Sequence, residues 1–380
     1  MDGTDTDGRV CNHVRSGRAG VRQSVWGMKL TDLAWLDDAK TEGSGIQSAH
    51  RILFDKSFER RSDSAFALYR REWNRRPEQR FVGEFPMNLD TELDANCNLF
   101  CPMCARQSDP AAKAKGQMTL ERFEKIVKEA SAYAGKDWFS IRTNFRGEST
   151  MNPALEKCLK MAKEYGCVET GLNTNGNFST ARLRGILEYA DLIAFSLDAL
   201  YPSTYGKIRV RGDFNLAYAN VHTAIRLRDE MGLKTIVRVS FVHQILNDSE
   251  IGPFLRYWTE AGVDKATANL CFNPLMQNDR EDYQSPYVIE QDPGFVCAQP
   301  WQRMAIWATG EIQPCCGAWL DAYRVGHIDA DTVRDSWLGS KMTHLREVNE
   351  NHLYQMFPMC STCGVSQNKV IRRKDASGGQ

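Results

Sequence analysis

Three cysteines stand close together in the stretch that most constrains the fold, Cys97-Asn-Leu-Phe-Cys101-Pro-Met-Cys104. This C-x3-C-x2-C spacing directly follows a strand-like run at residues 87–93. Iron–sulfur clusters are ordinarily held by four thiolates, so three on one loop can wrap three irons of a cubane and leave the fourth iron open. Zinc is the alternative metal, but a structural zinc site needs four closed ligands, and no histidine stands nearby in the sequence. The stretch therefore predicts an iron–sulfur loop after the first strand of a barrel.

The composition indicates the cellular compartment of the protein and excludes some classes of binding partner. The 380 residues include 12 cysteines, and 48 basic side chains balance 48 acidic ones. A neutral chain lacks the basic excess that phosphate contacts need, so no nucleic-acid partner is expected. The beginning of the sequence, MDGTDTDGRV, has no apolar signal-peptide core, and no run approaches the ~18 apolar residues of a membrane span. We expect a cytoplasmic protein without a membrane partner, whose reduced thiols hold metal.

Short apolar runs alternate with amphipathic stretches through the middle of the chain. Such alternation predicts parallel strands joined by right-handed helical crossovers. We predict strands at residues 87–93, 138–142, 168–173, 192–197, 235–242 and 266–271. We predict helices at residues 119–133, 153–165, 180–188, 214–231 and 249–261. The predicted fold class is α/β, a partial (β/α)6 TIM-like barrel with its chemistry at the carboxyl ends of the strands.

Four segments follow from these patterns. Residues 1–86 are expected to form a mobile arm and a basic helical extension, whose cationic face is either solvated or a contact surface for an acidic partner. Residues 87–285 form the barrel, and residues 367–380 a disordered basic tail. Residues 286–366 form a smaller iron–sulfur module, with a hairpin at 303–307 and 311–314 around the Thr309-Gly310 turn and a helix at 332–348.

Polar motifs follow the second, third and fourth predicted strands: Arg146-Gly147-Glu148, the stretch 173–176 (Asn-Thr-Asn-Gly) and the stretch 196–198 (Ser-Leu-Asp). Together with the cysteine loop they resemble the radical S-adenosylmethionine (SAM) superfamily over most of residues 87–271. The resemblance implies a 4Fe-4S cluster on Cys97, Cys101 and Cys104 whose open iron chelates SAM. It also implies reductive cleavage of SAM to a 5'-deoxyadenosyl radical, which takes a hydrogen atom from the substrate, and a reductant such as flavodoxin or ferredoxin.

The same resemblance implies a set of SAM contacts. Glu148 and the backbone at Gly147 would receive the SAM ammonium group, and Ser196 and Arg209 the carboxylate, for which a guanidinium is a natural clamp. Arg146 departs from the family motif, which has glycine there. The implied SAM-binding residues are Met103, Gly147, Glu148, Asn175, Ser196, Arg209 and Ser240.

A second group of cysteines lies in the carboxyl-terminal module. Its C-x12-G-x4-C spacing, continued after a gap by C-x2-C, resembles the SPASM/twitch extension of radical SAM enzymes. The resemblance implies one auxiliary 4Fe-4S cluster, and so two clusters per chain, held here by Cys297, Cys315, Cys360 and Cys363. Cys316 is the alternative ligand, and a four-cysteine zinc knuckle the alternative site.

These features favour a radical SAM oxidoreductase that dehydrogenates a carbohydrate-like or aminocyclitol small molecule. Two other radical reactions stay open: epimerisation, with Cys271 at the end of the sixth strand as hydrogen donor, and maturation of a ribosomal peptide. For Cys271, core packing is the alternative role. A non-catalytic iron–sulfur or zinc protein would leave the motifs at successive strand ends unexplained.

Overall fold

Parallel strands follow one another in chain order through the centre of one sheet. The computed structural model describes residues 50–61, 63–108, 116–271, 281–290, 294–318, 323–361, 363 and 369–373. Its strands are β1 (His50–Asp55), β2 (Asn88–Thr91), β3 (Ser140–Arg142), β4 (Glu169–Thr174), β5 (Leu192–Ser196), β6 (Ile236–His243), β7 (Lys265–Leu270), β8 (Tyr287–Glu290), β9 (Arg303–Ile306), β10 (Glu311–Gln313), β11 (Gly326–His327) and β12 (Lys369–Arg373).

The strand order confirms the predicted barrel topology. The large sheet runs β1-β7-β6-β5-β4-β3-β2-β9-β10-β11, and the strands from β2 to β7 are all parallel to one another. Each predicted strand is present with its bounds moved by a few residues. Because β1 and β11 end the sheet on either side, the fold is a partial, TIM-like barrel rather than a closed one.

Helices connect the parallel strands β2 to β7, and further helices precede and follow these strands in the chain. They are α1 (Ser57–Arg60), α2 (Ser64–Glu78), α3 (Ala105–Ser108), α4 (Leu120–Tyr133), α5 (Leu155–Glu164), α6 (Leu183–Tyr189), α7 (Pro202–Ile208), α8 (Phe214–Glu230), α9 (Ile251–Ala261), α10 (Gln299–Gln302), α11 (Val333–Leu338), α12 (Ser340–Glu350) and α13 (Pro358–Ser361). No helix in the described ranges is long and apolar enough to span a membrane.

Helix α4 shows why these segments fold as they do. The Thr119 hydroxyl accepts a hydrogen bond from the Arg122 amide at 3.2 Å, which caps the first turn. Phe123, Ile126, Val127 and Ala130 then recur at helical spacing and are fully buried. Full burial of a large apolar side chain contributes roughly 1.5–3 kcal/mol, so this face fixes the helix against the sheet.

The carboxyl-terminal hairpin continues the barrel sheet. Strand β9 lies parallel to β2, and β10 returns antiparallel to β9, so the predicted hairpin is confirmed. The turn between them has Gly310 at φ +109°, where a side chain would be strained. The sheet thus crosses the boundary that the sequence analysis placed at residue 286.

The single helix predicted for residues 332–348 is wrong. Two helices, α11 and α12, are separated by Gly339, whose backbone is extended at φ −69°, ψ 164°. A Cβ atom at Gly339 would lie 2.8 Å from the carbonyl oxygen of Asp335, so glycine permits the close turn.

Both ends of the described chain carry strands that the sequence analysis did not predict. β1 pairs antiparallel with β7 inside the predicted extension, and β12 pairs with β8. The prediction of a disordered tail is therefore wrong for Lys369–Arg373, where pairing with β8 satisfies the backbone polar groups. The predicted mobile arm at 1–49 and the tail at 374–380 lie outside the described residues.

Helix α2 occupies the expected basic extension and packs at the amino ends of the barrel strands. Tyr69 and Trp73 are buried together with Met87 and Val168. The Tyr69 hydroxyl lies 2.7 Å from the Ser140 hydroxyl and donates to the carbonyl oxygen of Met87 at 3.2 Å. This helix covers the barrel end opposite to the cysteine loop.

Candidate functional site

The loop after β2 holds the three clustered cysteines. The Cys104 amide donates to the carbonyl oxygen of Cys101 at 3.0 Å, and Phe100 anchors the loop through its amide to the carbonyl oxygen of Val210 at 2.9 Å. Burial raises the pKa of all three thiols, and the charge of a neighbouring cysteine raises each further, so the sulfur atoms lie near one another. Since metal ligands must be thiolates, cluster binding here must release protons.

The Gly147-Glu148 turn packs directly on this loop. A Cβ atom at Gly147 would collide with the carbonyl oxygens of Asp94 and Asn96, so only glycine fits. The Glu148 amide donates to the carbonyl oxygen of Asn96 at 2.7 Å. The end of β3 is thereby held against the cysteine loop.

The Glu148 carboxylate is buried between the ends of β3 and β4. Its Oε1 accepts from the hydroxyls of Thr150 at 2.7 Å and Thr174 at 2.8 Å, and Oε2 accepts from the Asn175 amide at 2.8 Å. Burial raises the pKa of Glu148, and these hydrogen bonds lower it in part. A carboxylate oxygen has two lone pairs, so Oε2 can accept one further donor.

Asn175 joins this turn to the cysteine loop. Its Nδ2 donates to Oδ1 of Asn98 at 2.8 Å and lies 3.9 Å from the sulfur of Cys97. The next residue, Gly176, has φ +78°, which turns the chain away after β4. The predicted polar turn is therefore placed beside the first cluster cysteine.

Arg209 reaches the cysteine loop from the other side. Its Nη1 lies 3.7 Å from the sulfur of Cys101, and its Nη2 pairs with the buried Asp198 at 2.6 Å. Arg211 stands two residues further along the chain. It is exposed, and its guanidinium lies 5.0 Å from the Phe100 ring centre, so Arg209 is the arginine of this pair that contacts a cluster cysteine. Asp198 received no role in the sequence analysis; its position directly after a predicted strand was the available signal.

The two serines predicted to contact SAM lie side by side. Ser196 and Ser240 are register partners on β5 and β6, and their hydroxyl oxygens are 3.3 Å apart. Met103 is half-buried within the cysteine loop. The structure thus brings Asn175 and Arg209 to the cluster cysteines and the serines to the neighbouring strand ends, while SAM binding by Met103 stays a prediction.

Cys271 follows β7 directly and is buried. Its amide donates to the carbonyl oxygen of His243 at 3.1 Å. Burial, and then the charge of Asp198, raises the pKa of the thiol to about 12, so it stays protonated at neutral pH. It therefore carries the S–H hydrogen that a donor would need.

The second group of cysteines converges in the carboxyl-terminal module. Burial raises the pKa of Cys297 and Cys315, and each is raised further by the charges of other cysteines of the group, Cys316, Cys360 and Cys363 among them. A Cβ atom at Gly317 would lie 3.4 Å from the sulfur of Cys363 and 3.7 Å from that of Cys315. Within the described part of the chain, no three His, Cys, Asp or Glu side chains are close enough to hold one metal ion. Four convergent thiols suit a four-iron cluster, which takes one thiolate at each iron.

Cys316 differs from Cys315 in its surroundings. Its sulfur lies 3.7 Å from Oε1 of Gln299. Burial raises the pKa of the Cys316 thiol to about 11, and the charge of the nearby Arg303 lowers it in part. The charges that raise the pKa of Cys315, by contrast, all belong to other cysteines, Cys297, Cys316, Cys360 and Cys363. This favours Cys315 as the ligand.

Separate alanine variants test this choice. We expect Cys315→Ala to lower the iron content from about eight to about four per chain, because a 4Fe-4S cluster is held by four thiolates. Cys316→Ala should keep about eight. Anaerobic iron and sulfide analysis measures both variants, and the reverse pattern would assign the ligand to Cys316.

Glu92 is a buried residue that the sequence analysis missed. Its carboxylate accepts hydrogen bonds from Nε of Arg146 at 2.8 Å and from Nη2 of the same residue at 2.7 Å, and both side chains are completely buried. The Arg146 guanidinium also lies 3.5 Å from the ring centre of Trp307. The arginine that replaces the family glycine therefore joins β2 to the segment after β9.

Comparisons with known proteins agree with this arrangement. The family model of the radical SAM superfamily matches residues 93–257, and that of SPASM, an iron–sulfur cluster-binding domain, matches residues 297–364. No curated protein matches the chain.

Solved structures share the fold at low sequence identity. BtrN in complex with AdoMet and 2-DOIA has a TM-score of 0.53 at 16% identity, covering 76% of this chain and 100% of that one. Streptococcus suis SuiB bound to S-adenosylmethionine has a TM-score of 0.57 at 13% identity, and the match covers 78% of this chain and 75% of SuiB. The anSMEcpe structure with AdoMet and Cp18Cys peptide has a TM-score of 0.53 at 17% identity, and the match covers 76% of this chain and 89% of anSMEcpe.

Proposed function

Since this chain belongs to the radical SAM superfamily and carries a SPASM-type auxiliary iron–sulfur domain, we propose that it dehydrogenates a carbohydrate-like or aminocyclitol small molecule. The convergence of Asn175 and Arg209 on the cysteine loop supports SAM binding there. The observation that carries dehydrogenation of a small molecule is the similarity to BtrN, which was crystallised with AdoMet and 2-DOIA and whose whole chain is covered. A second group of thiols lies in the same chain. These thiols would hold the electron acceptor that an oxidation needs. When bound, the first cluster with SAM supplies a hydrogen-abstracting radical, and the auxiliary cluster accepts the electron of the oxidation.

The protein's own groups would bind and orient SAM. Oε2 of Glu148, with one acceptor position left, receives the ammonium group, and Ser196 and Arg209 receive the carboxylate. Ser240, beside Ser196, contacts the ribose, and Met103 packs near the adenine. Asp198 holds the Arg209 guanidinium in place through its ion pair at 2.6 Å.

Two other radical reactions have specific support. BtrN was crystallised with 2-DOIA, whereas SuiB was crystallised with its precursor peptide SuiA and anSMEcpe with a peptide. Peptide maturation is therefore the second candidate. Epimerisation is the third, because the Cys271 thiol stays protonated at neutral pH.

Product analysis separates these reactions. The reconstituted enzyme is incubated in D₂O with SAM, dithionite and a panel of aminocyclitols, sugars and cysteine-containing peptides. A small molecule that loses two hydrogens, with one 5'-deoxyadenosine formed per product, supports the proposal. A product of unchanged composition that carries one solvent deuterium indicates epimerisation, and a peptide that loses two hydrogens indicates maturation.

Cys271→Ala provides an independent test of the epimerase alternative. For a dehydrogenase we expect product formation within about twofold of the parent enzyme, since the substitution removes only a small buried thiol. Product and 5'-deoxyadenosine are quantified in the same reaction. Loss of product while 5'-deoxyadenosine still forms would instead make the thiol a hydrogen donor.

A further inference from the structure

Polar side chains with some solvent exposure lie on one face of the central strands. On β4, Asn173 is exposed between the buried residues Leu172 and Thr174, although its strand lies in the middle of the sheet. Arg238 on β6 and Asn269 on β7 are likewise half-buried between buried neighbours. Because successive side chains point to opposite faces, these residues mark the face that surrounds the lumen.

Two guanidinium groups converge on this face. Arg142 ends β3 and extends over Gly171 of β4, where a side chain would collide with it. Arg238 lies on β6, three strands from β3, and its Nη2 donates to Oδ1 of Asn173 at 3.3 Å across Ala194 of β5, the register partner of both. Small residues on the intervening strands thus leave room for both arginines in the lumen.

The ion pairs around this face do not include Arg238. Arg142 pairs with Glu169, whose carboxylate also faces Arg61 at 3.4 Å, and Arg61 in turn lies near Asp63 and Asp191. Asp55 pairs with Lys265 at 3.0 Å. Arg238 has no ion-pair partner within the described residues, and burial, followed by the charge of Arg142, lowers its pKa to about 10.

Each arginine also has a donor left over. Nη1 of Arg142 and Nε of Arg238 are buried and lack a hydrogen-bond partner in the described structure. Buried donors are normally satisfied, and an unsatisfied charged donor is costly. Both side chains are only half-buried, so other parts of the two guanidinium groups remain open to an anion, which paired guanidinium contacts would hold strongly.

We propose that Arg142 and Arg238 form a subsite in the barrel lumen that binds a carboxylate or phosphate group of the substrate. The inference rests on the proposed function and narrows its substrate to a carbohydrate-like molecule that carries a carboxylate or phosphate group, so it disfavours an aminocyclitol, whose amino groups are cationic. Ser240 follows Arg238 by two residues on the same strand face, which places the subsite about 6–7 Å deeper than the serines assigned to SAM. A small substrate held by its anionic group would thus present a neighbouring C–H bond to the adenosyl group.

Anion binding to the reconstituted enzyme with SAM tests the subsite. Inorganic phosphate and succinate serve as probes in separate titrations by calorimetry, and the tighter of the two identifies the group recognised. We expect Arg238→Gln and Arg142→Gln to weaken binding about 10- to 100-fold, because each removes charge-assisted hydrogen bonds. Arg238→Lys should retain part of the affinity, since it keeps the charge.

Arg226→Gln is the matched control. Arg226 lies on the surface of α8, where it pairs with Glu230, so the affinity for either anion should equal that of the parent. Iron content, expected at about eight per chain, shows that each variant has folded with both clusters.

Two results overturn the inference. One is parent-like anion affinity in Arg238→Gln and Arg142→Gln; the other is the absence of phosphate and succinate binding to a parent enzyme that cleaves SAM. A parent enzyme with both clusters that does not cleave SAM would instead overturn the proposed function.

Discussion

Replacement of Cys97, Cys101 and Cys104 together by alanine is expected to lower 5'-deoxyadenosine formation from SAM to the background of the enzyme-free reaction. The three thiols lie on one loop between β2 and α3, and without them the iron that binds SAM has no protein ligands. Chromatographic assay of 5'-deoxyadenosine under dithionite measures the loss. Iron should fall from about eight to about four per chain, because the auxiliary thiols are untouched.

Cys158→Ala is the control for this experiment. Cys158 is buried in α5, outside both groups of cysteines, and its substitution should leave the iron content and SAM cleavage near those of the parent. Continued 5'-deoxyadenosine formation by the triple variant would overturn the assignment of the SAM cluster to this loop.

Glu92→Gln is expected to cause the largest loss of stability, about 3–5 kcal/mol, because it leaves the buried Arg146 guanidinium without its counter-charge. The Glu92 carboxylate also accepts the backbone amides of Arg146 at 3.0 Å and Ala308 at 3.2 Å. Thermal unfolding of the reconstituted enzyme should show a melting temperature lower by several degrees.

A surface pair and a double variant make this test specific. Glu230→Gln breaks the exposed pair with Arg226, and such pairs contribute only about 0.2–1 kcal/mol. Arg146→Gln together with Glu92→Gln should recover part of the stability, because no uncompensated charge remains. Equal losses of stability in Glu92→Gln and Glu230→Gln would show that the buried Glu92–Arg146 pair stabilises the fold no more than a surface pair does.

The local part of the fold could be predicted from the sequence. The six parallel strands follow from apolar runs separated by amphipathic helices, and the hairpin at β9 and β10 follows from its Thr309-Gly310 turn. The first cysteine loop could be predicted from its short spacing, because a cluster needs several thiols close together. The auxiliary cysteines are spread over residues 297–363, and their common role followed from the resemblance to the SPASM/twitch extension.

The remaining features depend on contacts between distant residues. β1 adds to the edge of the sheet beside β7, and Glu92 meets Arg146 across 54 residues of sequence. The segment of β1 carries no turn signal or alternation strong enough to predict its partner. Arg142 and Arg238 could not be assigned to one face before the register of β3, β4, β5 and β6 was known.

The hydrogen bonding between β2 and β9 has a mechanical consequence. Domains joined by flexible linkers commonly rotate against one another, and many enzymes close on their substrates by such hinge motion. Here β2 and β9 pair along their full lengths, from Asn88 with Arg303 to Thr91 with Ile306, so rotation between the two modules would have to break a sheet. We therefore expect substrate entry to depend on loop movement rather than on rotation of one module against the other.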